Sequence, residues 1–295
     1  MSESRIRVIA DTLYQREKTP YAYTLKLHKL GLHCEAVALP SYRWTEIGYL
    51  SDLSLADLRM SEGHTFTDGE WLPAGPTPLA DKLAYAAENA ERSARRARAA
   101  VRRRVKLFEL NTMLTLTYAE NVLDRDRLRR DVDAMIKRIR RVVPDFSYVC
   151  VFEQQKRGAW HAHIATRTIQ SHYIHRGKVV QSYALLRLMW RAVTGSAGGN
   201  IDVSRGRAVK RSTGRLAGYL AKYIGKGFAD GSSEGDSYRA SGRALPTPIR
   251  IFTHELDLAS AAGELWDLLR AEANSSDTFQ RLLWACGGYF LAFSP

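Results

Sequence analysis

Strand-like and helix-like patterns alternate along the middle of the chain, from residue 108 to residue 252. Between Leu110 and Thr117, apolar residues recur at every second position, as in a strand with one buried face. From Asp124 to Val143 they recur every three or four positions and stop before Pro144, which predicts an amphipathic helix. This order predicts an α+β fold, a central antiparallel sheet with helices packed on it. The same repeats predict strands at 146–153, 160–168, 200–203 and 249–252 and helices at 182–193 and 213–226.

Three further segments flank this middle region. The N-terminal one has strand-like alternation and a hairpin turn, and the sequence assigns it no function. It contains His28, His33 and Cys34, which we interpret as structural because no second metal-binding pair follows them. The predicted boundaries are 1–78 for this mixed region, 79–107 for an Ala- and Arg-rich helix, 108–255 for the α+β domain and 256–295 for a helical C-terminal tail with a closing apolar segment.

The predicted helix at 213–226 carries two tyrosines one turn apart. Tyr219 and Tyr223 are four residues apart, so their side chains lie one above the other beside the apolar stripe. Lys222 and Lys226 fall on the next stripe round the helix. One interpretation is two amphipathic tyrosines at the margin of the core, with lysines in solvent. The other is a catalytic edge of two phenols supported by two ammonium groups.

A second short stretch favours the catalytic interpretation. His161 and His163 are two apart on a predicted strand, so both imidazoles project from one face. The turn at Arg157 brings Glu153, on the preceding strand, back beside them. Two imidazoles and one carboxylate suit a divalent metal that also holds substrate, although most His-x-His pairs have no such role.

The charge of the chain indicates a polyanionic partner. The net charge is +13 over 295 residues, which favours nucleic acid first and an anionic membrane second. Three widely separated cysteines, and an N-terminus without the layout of a signal peptide, predict a reducing, cytoplasmic location. The longest apolar run is too short to span a bilayer. The arginines that we expect to contact DNA phosphates are Arg92, Arg95, Arg96, Arg98, Arg102, Arg103, Arg104 and Arg157.

Together the two stretches predict a specific reaction. The metal would grip the non-bridging oxygens of a phosphodiester and stabilise the charge of the transition state. A tyrosine oxygen would attack in line, leaving a DNA–phosphotyrosine and a free 3′-hydroxyl. Because a phenol has a pKa near 10, it is a weak nucleophile until a cation supports the phenolate. Lys222 and Lys226 are the nearest source of that charge in the sequence.

Three motifs resemble those of the HUH endonucleases. The segment His161–His163 is similar to their His-hydrophobic-His signature, and Tyr219–Lys226 resembles the two-tyrosine motif of their rolling-circle replication initiators. Leu114–Tyr118 is similar to the first motif of the same family, and the three occur in the family's order. The likeness is to the Rep proteins of single-stranded DNA phages and related plasmids, and it covers roughly 108–252.

This resemblance implies a fold, a cofactor and partners. It implies a five-stranded antiparallel palm of the ferredoxin or RRM-like kind, Mg²⁺ or Mn²⁺ as cofactor, and nicking and rejoining of single-stranded or hairpin origin DNA. In this family the third metal ligand varies, so the resemblance supports Glu153 less than the histidines. The sequence has no phosphate-binding loop of the helicase kind, so a host helicase and DNA polymerase are the expected partners, in the cytoplasm of a bacterial host.

Other functions remain open from the sequence. A conjugative relaxase or a single-strand transposase would use the same nucleophile and metal. A DNA-binding repressor on a decayed nuclease fold would keep the charge and lose the chemistry. A zinc hydrolase of small phosphoesters fits the histidines, but not the charge of +13. Metal-dependent formation of a covalent DNA adduct separates these possibilities.

Overall fold

The structure is a computed structural model, and it describes eleven stretches of the chain. These are residues 6–9, 12–49, 64–67, 70–73, 78–204, 213–229, 238–242, 244–253, 258–272, 278–285 and 288–294.

Strands and helices are numbered in chain order within these stretches. The strands are β1 (Ile6–Ile9), β2 (Thr12–Leu30), β3 (His33–Tyr49), β4 (His64–Thr67), β5 (Glu70–Pro73), β6 (Thr112–Thr117), β7 (Tyr148–Gln154), β8 (Trp160–Thr166), β9 (His172–His175), β10 (Lys178–Gln181), β11 (Asn200–Ser204), β12 (Tyr238–Ala240), β13 (Ile249–Thr253), β14 (Thr278–Ala285) and β15 (Gly288–Ser294). The helices are α1 (Pro78–Leu107), α2 (Arg125–Arg140), α3 (Ser182–Thr194), α4 (Thr213–Ala229) and α5 (Leu258–Glu272).

A five-stranded antiparallel sheet forms the centre of the predicted α+β domain. Its strand order is β11-β6-β8-β7-β12, so β8, which carries the two histidines, is the middle strand. Helices α2 and α3 pack on one face through a large apolar core, and α1 and α4 pack on the other. The predicted α+β fold with a central antiparallel sheet is confirmed.

Helix α2 illustrates how local sequence fixes an element. The carboxylate of Asp124 accepts hydrogen bonds from the backbone N–H groups of Asp126 and Arg127, which caps the first turn. Apolar residues at helical spacing are buried against the sheet, and Pro144 follows shortly after the helix ends. The buried residues are Leu128, Val132, Met135, Ile136 and Ile139.

A second sheet joins residues that are far apart in the sequence. The long hairpin of β2 and β3 pairs with β1 on one side and with the hairpin of β15 and β14 on the other. Strand β13 also pairs with β2. On one face, α5 packs Leu265 and Leu269 against Leu25 and Leu27. We refer to this six-stranded assembly as the second sheet.

Two sequence predictions need correction here. The strand predicted at 249–252 exists, but it pairs with β2 of the second sheet, and β12 is the fifth strand of the central sheet. The tail at 256–295 contains the predicted helix, but its apolar segment forms a hairpin that pairs with β3. Aromatic and branched residues favour strands, and a sheet edge is available to pair with them.

Helix α1 connects the two sheets. Its apolar residues Val101 and Val105 pack with Leu216 and Leu220 of α4, in the core on one face of the central sheet. Its cationic side binds a carboxylate of the second sheet. The predicted helix at 79–107 is thus confirmed as α1, and it holds the two-tyrosine helix against the central sheet.

The buried carboxylate of Glu35, on β3, lies among three cations of α1. Arg102 donates to both of its oxygens at 2.7 and 3.0 Å, Arg103 donates at 3.2 Å, and the Lys106 ammonium lies 3.1 Å away. Burial alone would raise the pKa of Glu35, but the charges of these three groups outweigh it and hold the pKa at about 2. Glu35 is therefore ionised, and it joins α1 to the second sheet.

Within the described residues, no helix is both long enough and apolar enough to cross a membrane.

Candidate active site

The central sheet places three of the predicted residues on one face. In the pairing of β7 with β8, Glu153 lies opposite His161, and Val151 lies opposite His163. Because side chains alternate between the faces of a sheet, the two imidazoles and the carboxylate project on the side covered by α1 and α4. His163 Nε2 and Glu153 Oε2 are 2.9 Å apart, so these two groups are in direct contact.

Two further residues, which the sequence did not single out, orient the imidazoles. His163 Nδ1 lies 3.2 Å from the hydroxyl of Thr115, on the neighbouring strand β6. His161 Nδ1 lies 3.1 Å from the side-chain amide of Gln155. Partners of this kind fix the ring orientation of metal-binding histidines. The available signal was alternation, since Gln155 follows Glu153 by two residues and Thr115 faces His163 once the strands are paired.

The protonation of His161 suits a ligand. Burial, together with the neighbouring His163 and Arg157, lowers the pKa of His161, and Glu153 opposes the shift. The ring therefore stays neutral at physiological pH, which is the form that can offer a lone pair to a metal.

The donor set fits a small divalent ion in chemistry and in part in spacing. Among the described residues, no group of three or more His, Cys, Asp or Glu side chains is already arranged as a metal cage. The 2.9 Å between His163 Nε2 and Glu153 Oε2 nevertheless matches the separation of about 3 Å between adjacent ligands in an octahedron with bonds of about 2.1 Å. His161 emerges from the same face of the sheet as the third donor. Glu153, His161 and His163 are thus the residues that would hold the ion.

Helix α4 brings both tyrosines to this cluster. Leu216, Leu220 and Ile224 are buried at helical spacing, which turns the neighbouring edge of the helix towards the sheet. The Tyr223 ring stacks on His163, with centroids 4.4 Å apart and planes inclined by 17°. Two sequence stretches more than fifty residues apart thus meet in one site.

The two phenols are in contact with each other. Tyr223 donates a hydrogen bond to the oxygen of Tyr219, and the rings meet edge to face with centroids 5.1 Å apart. Both side chains are half-buried, so solvent and a polymer substrate can reach them. Lys222 is exposed on the same helix, and the side chain of Lys226 lies outside the described part of the structure.

A third tyrosine, in the first motif, has a structural role. Tyr118 is buried, donates to Asp131 at 2.7 Å and packs its ring against Trp190 at 5.4 Å. Burial, the hydrogen bond to Asp131 and its negative charge raise the pKa of Tyr118 far above the usual range. This phenol therefore stays protonated, and it belongs to the core on the opposite face of the sheet.

The structure distributes the predicted phosphate-binding arginines over several environments. Arg102 and Arg103 are held by Glu35. Arg104 lies over the ring of Tyr238, 5.6 Å from its centroid. These three residues of α1 therefore have contacts within the protein. Arg157 is exposed at the turn between β7 and β8, beside the candidate site.

The earlier turns of α1 present the remaining arginines. Arg95 pairs with Glu91 at 3.0 Å and Arg96 donates to Ser93 at 3.3 Å, and both arginines are exposed. Arg98 is half-buried. Arg92 lines a groove between α1 and the second sheet.

A family comparison agrees with this geometry. Residues 111–228 match the family model of the replication-associated protein ORF2. The matched range runs from β6 to α4, and it contains His161, His163, Tyr219 and Tyr223. The match supports a Rep-type replication initiator. The second sheet lies largely outside it. Searches of the curated proteins and of the solved structures found no significant match.

Proposed function

We propose that this chain initiates rolling-circle replication by nicking and rejoining one strand of origin DNA through a tyrosine nucleophile. The observation that supports it most is the stacking of Tyr223 on His163, which is itself in contact with Glu153. A nucleophile and a set of hard metal donors then share one small volume at the surface of the sheet. The family match supports the replication role.

The proposed reaction exchanges one phosphodiester for another. A tyrosine oxygen attacks the phosphorus, the bond from phosphorus to the 3′-oxygen breaks, and the DNA is left with a 5′-phosphotyrosine and a 3′-hydroxyl. The phenolic proton leaves along the hydrogen bond between the two tyrosines or to solvent, and the 3′-oxygen takes up a proton. Rejoining is the reverse transfer. When bound by Glu153, His161 and His163, Mg²⁺ or Mn²⁺ would offset negative charge on the phosphate.

The second tyrosine gives the proposed initiator a way to act again. Once the first phenol is esterified to DNA, it is no longer a nucleophile. A phenol one helical turn away can then cut the regenerated origin while the first bond persists. Lys222 and Lys226 would add positive charge to this edge of α4. Unwinding and synthesis would come from a host helicase and DNA polymerase.

Replacing both His161 and His163 by Ala should abolish nicking of a single-stranded origin oligonucleotide and leave binding to duplex DNA largely unchanged. The imidazoles supply two of the three donors, whereas duplex binding depends on surface cations. The measurement is gel analysis of the nicked product and of the covalent adduct, with and without EDTA. His172→Ala, which removes an exposed histidine of β9, is the matched control and should nick normally. Full activity in EDTA would rule out the metal role.

Replacing both Arg95 and Arg96 by Gln should weaken binding to all single-stranded sequences to a similar extent. Both arginines are exposed on α1, and a cation that binds phosphate releases counterions rather than reading bases. The slope of log K against log salt concentration should fall by about 1.4, roughly 0.7 for each phosphate of a single strand that is no longer neutralised. Lys137→Gln with Arg141→Gln, two exposed cations at the end of α2, should change the slope little. A changed sequence preference with an unchanged slope would contradict this assignment.

A further inference from the structure

A groove with no assigned role lies between α1 and the second sheet. Its volume is about 550 Å³, and it shares no residue with the candidate active site. We call it the sheet groove. None of its ten lining residues is acidic. They are Thr24, Lys26, Leu39, Pro40, Ser41, Tyr42, Trp44, Arg92, Arg250 and Phe252.

Strand pairing concentrates positive charge in the sheet groove. Lys26 of β2 lies opposite Arg250 of β13 in the register, and Arg92 of α1 completes the lining. Burial, followed by the charges of Arg250 and Arg103, lowers the pKa of Lys26, which shows that these like charges are close enough to repel one another. A bound anion would relieve this repulsion, so the sheet groove is complementary to phosphate groups.

Aromatic side chains share the lining with these cations. Tyr42 is 39%, Trp44 36% and Phe252 57% exposed, which is unusual for large apolar groups near a sheet. Tyr42 and Trp44 are two residues apart on β3 and therefore emerge on the same face. Cations that follow a backbone, together with rings that accept bases, are the combination that single-stranded nucleic acid uses.

We propose that the sheet groove binds a segment of single-stranded DNA, with bases stacked on Tyr42, Trp44 and Phe252 and phosphates beside Lys26, Arg92 and Arg250. Duplex DNA hides the faces of its bases, so it would use the cations but not the rings. An acidic peptide would likewise satisfy the charges without the rings. The site requires no catalysis. If the nicking proposal also holds, the sheet groove would hold a part of the strand other than the one at the tyrosines.

The test compares DNA binding by variants of the full chain in EDTA, so that no nicking occurs. Fluorescence anisotropy of a labelled oligo-dT of about twenty nucleotides gives Kd, and a blunt duplex of the same length is the comparison. Trp44→Leu should weaken oligo-dT binding about five- to 150-fold, the range expected from about 1–3 kcal/mol for each stacked base. Trp44→Phe, which keeps a ring, should restore most of the affinity. Arg250→Gln should lower the salt slope by about 0.7.

Matched controls are available on other surfaces. Trp266 is 38% exposed on α5, which packs against the opposite face of the second sheet, so Trp266→Leu should leave Kd unchanged. Lys137→Gln removes one exposed cation of α2 and should leave the salt slope unchanged. Thermal unfolding of each variant checks that the fold is retained.

Three results would overturn the proposal. The first is equal affinity of Trp44→Leu and Trp266→Leu for oligo-dT. The second is an equal loss of duplex binding in Trp44→Leu, which would indicate a general phosphate surface. The third is competition by poly-glutamate as effective as that by oligo-dT at equal charge. The nicking proposal is tested separately, because the histidine substitutions should abolish nicking and leave the Trp44 dependence of binding intact.

Discussion

A chain in which both Tyr219 and Tyr223 are replaced by Phe will form no covalent adduct with origin DNA, whereas each single substitution will retain part of the activity. Only the two phenolic oxygens are removed, and no attacking atom remains in the double variant. In a serine protease the loss of the nucleophile costs about 10⁶ in kcat, so the residual rate should fall below detection. Single-turnover nicking, with mass spectrometry of the DNA-linked peptide, measures both the rate and the position of attack.

The two single variants should differ. Tyr223 stacks on His163, so its oxygen is held closest to the donor cluster, and we expect Tyr223→Phe to lose more of the first cleavage than Tyr219→Phe. Tyr118→Phe is the matched control, because it removes a buried phenol that donates to Asp131 outside the site. Its adduct yield should be normal. A DNA-linked peptide at any residue other than Tyr219 or Tyr223 would refute the assignment.

Replacing Glu35 by Gln should destabilise the protein by about 3–5 kcal/mol, the usual effect of removing one partner from a buried ion pair. The carboxylate is fully buried, and its loss would leave the cations of Arg102, Arg103 and Lys106 without their counter-charge. Urea unfolding measures the effect as a lower midpoint. Glu17→Gln is the control, since Glu17 is a partly exposed carboxylate on β2 that pairs with Arg43, and surface pairs of this kind contribute about 0–1 kcal/mol.

The same carboxylate gives stability a defined pH dependence. The pKa of Glu35 is about 2 in the folded chain, below its ordinary value of 4.5, so between these values the unfolded chain binds more protons. The contribution of ionised Glu35 is therefore complete above pH 4.5 and declines as the pH falls towards 2. The difference in unfolding free energy between wild type and Glu35→Gln should shrink over that range. A difference that stays constant down to the folded-state pKa would contradict the ion-pair role.

Local patterns were sufficient for the elements and for the meeting of the two motifs. The helical repeat and the aspartate cap at Asp124 predicted α2 to within a few residues. Alternation placed Glu153, His161 and His163 on one face, and the four-residue spacing placed Tyr219 above Tyr223. These features depend only on the period of a strand or a helix, which the sequence displays directly.

Long-range pairing was not predictable in the same way. Arg102 reaches Glu35 across 67 residues, so an arginine run that suggests DNA contact from its sequence is partly committed to an internal carboxylate. The pairing of β13 with β2 crosses an even longer interval. No periodicity marks such partners, because they are selected by which surfaces remain uncovered once the helices and strands have formed.

The composition of the second sheet has a consequence for synthesis on the ribosome. Strands β2 and β3 are made early, and β13, β14 and β15 are made late, with the whole central sheet between them. The central sheet therefore emerges as one continuous stretch and can fold while the second sheet still lacks three of its strands. Until α1 has emerged, the carboxylate of Glu35 has none of its three cations and stays in water. The nascent chain thus completes its candidate catalytic sheet first, and the sheet groove, which needs Arg250 and Phe252 of β13, is assembled late.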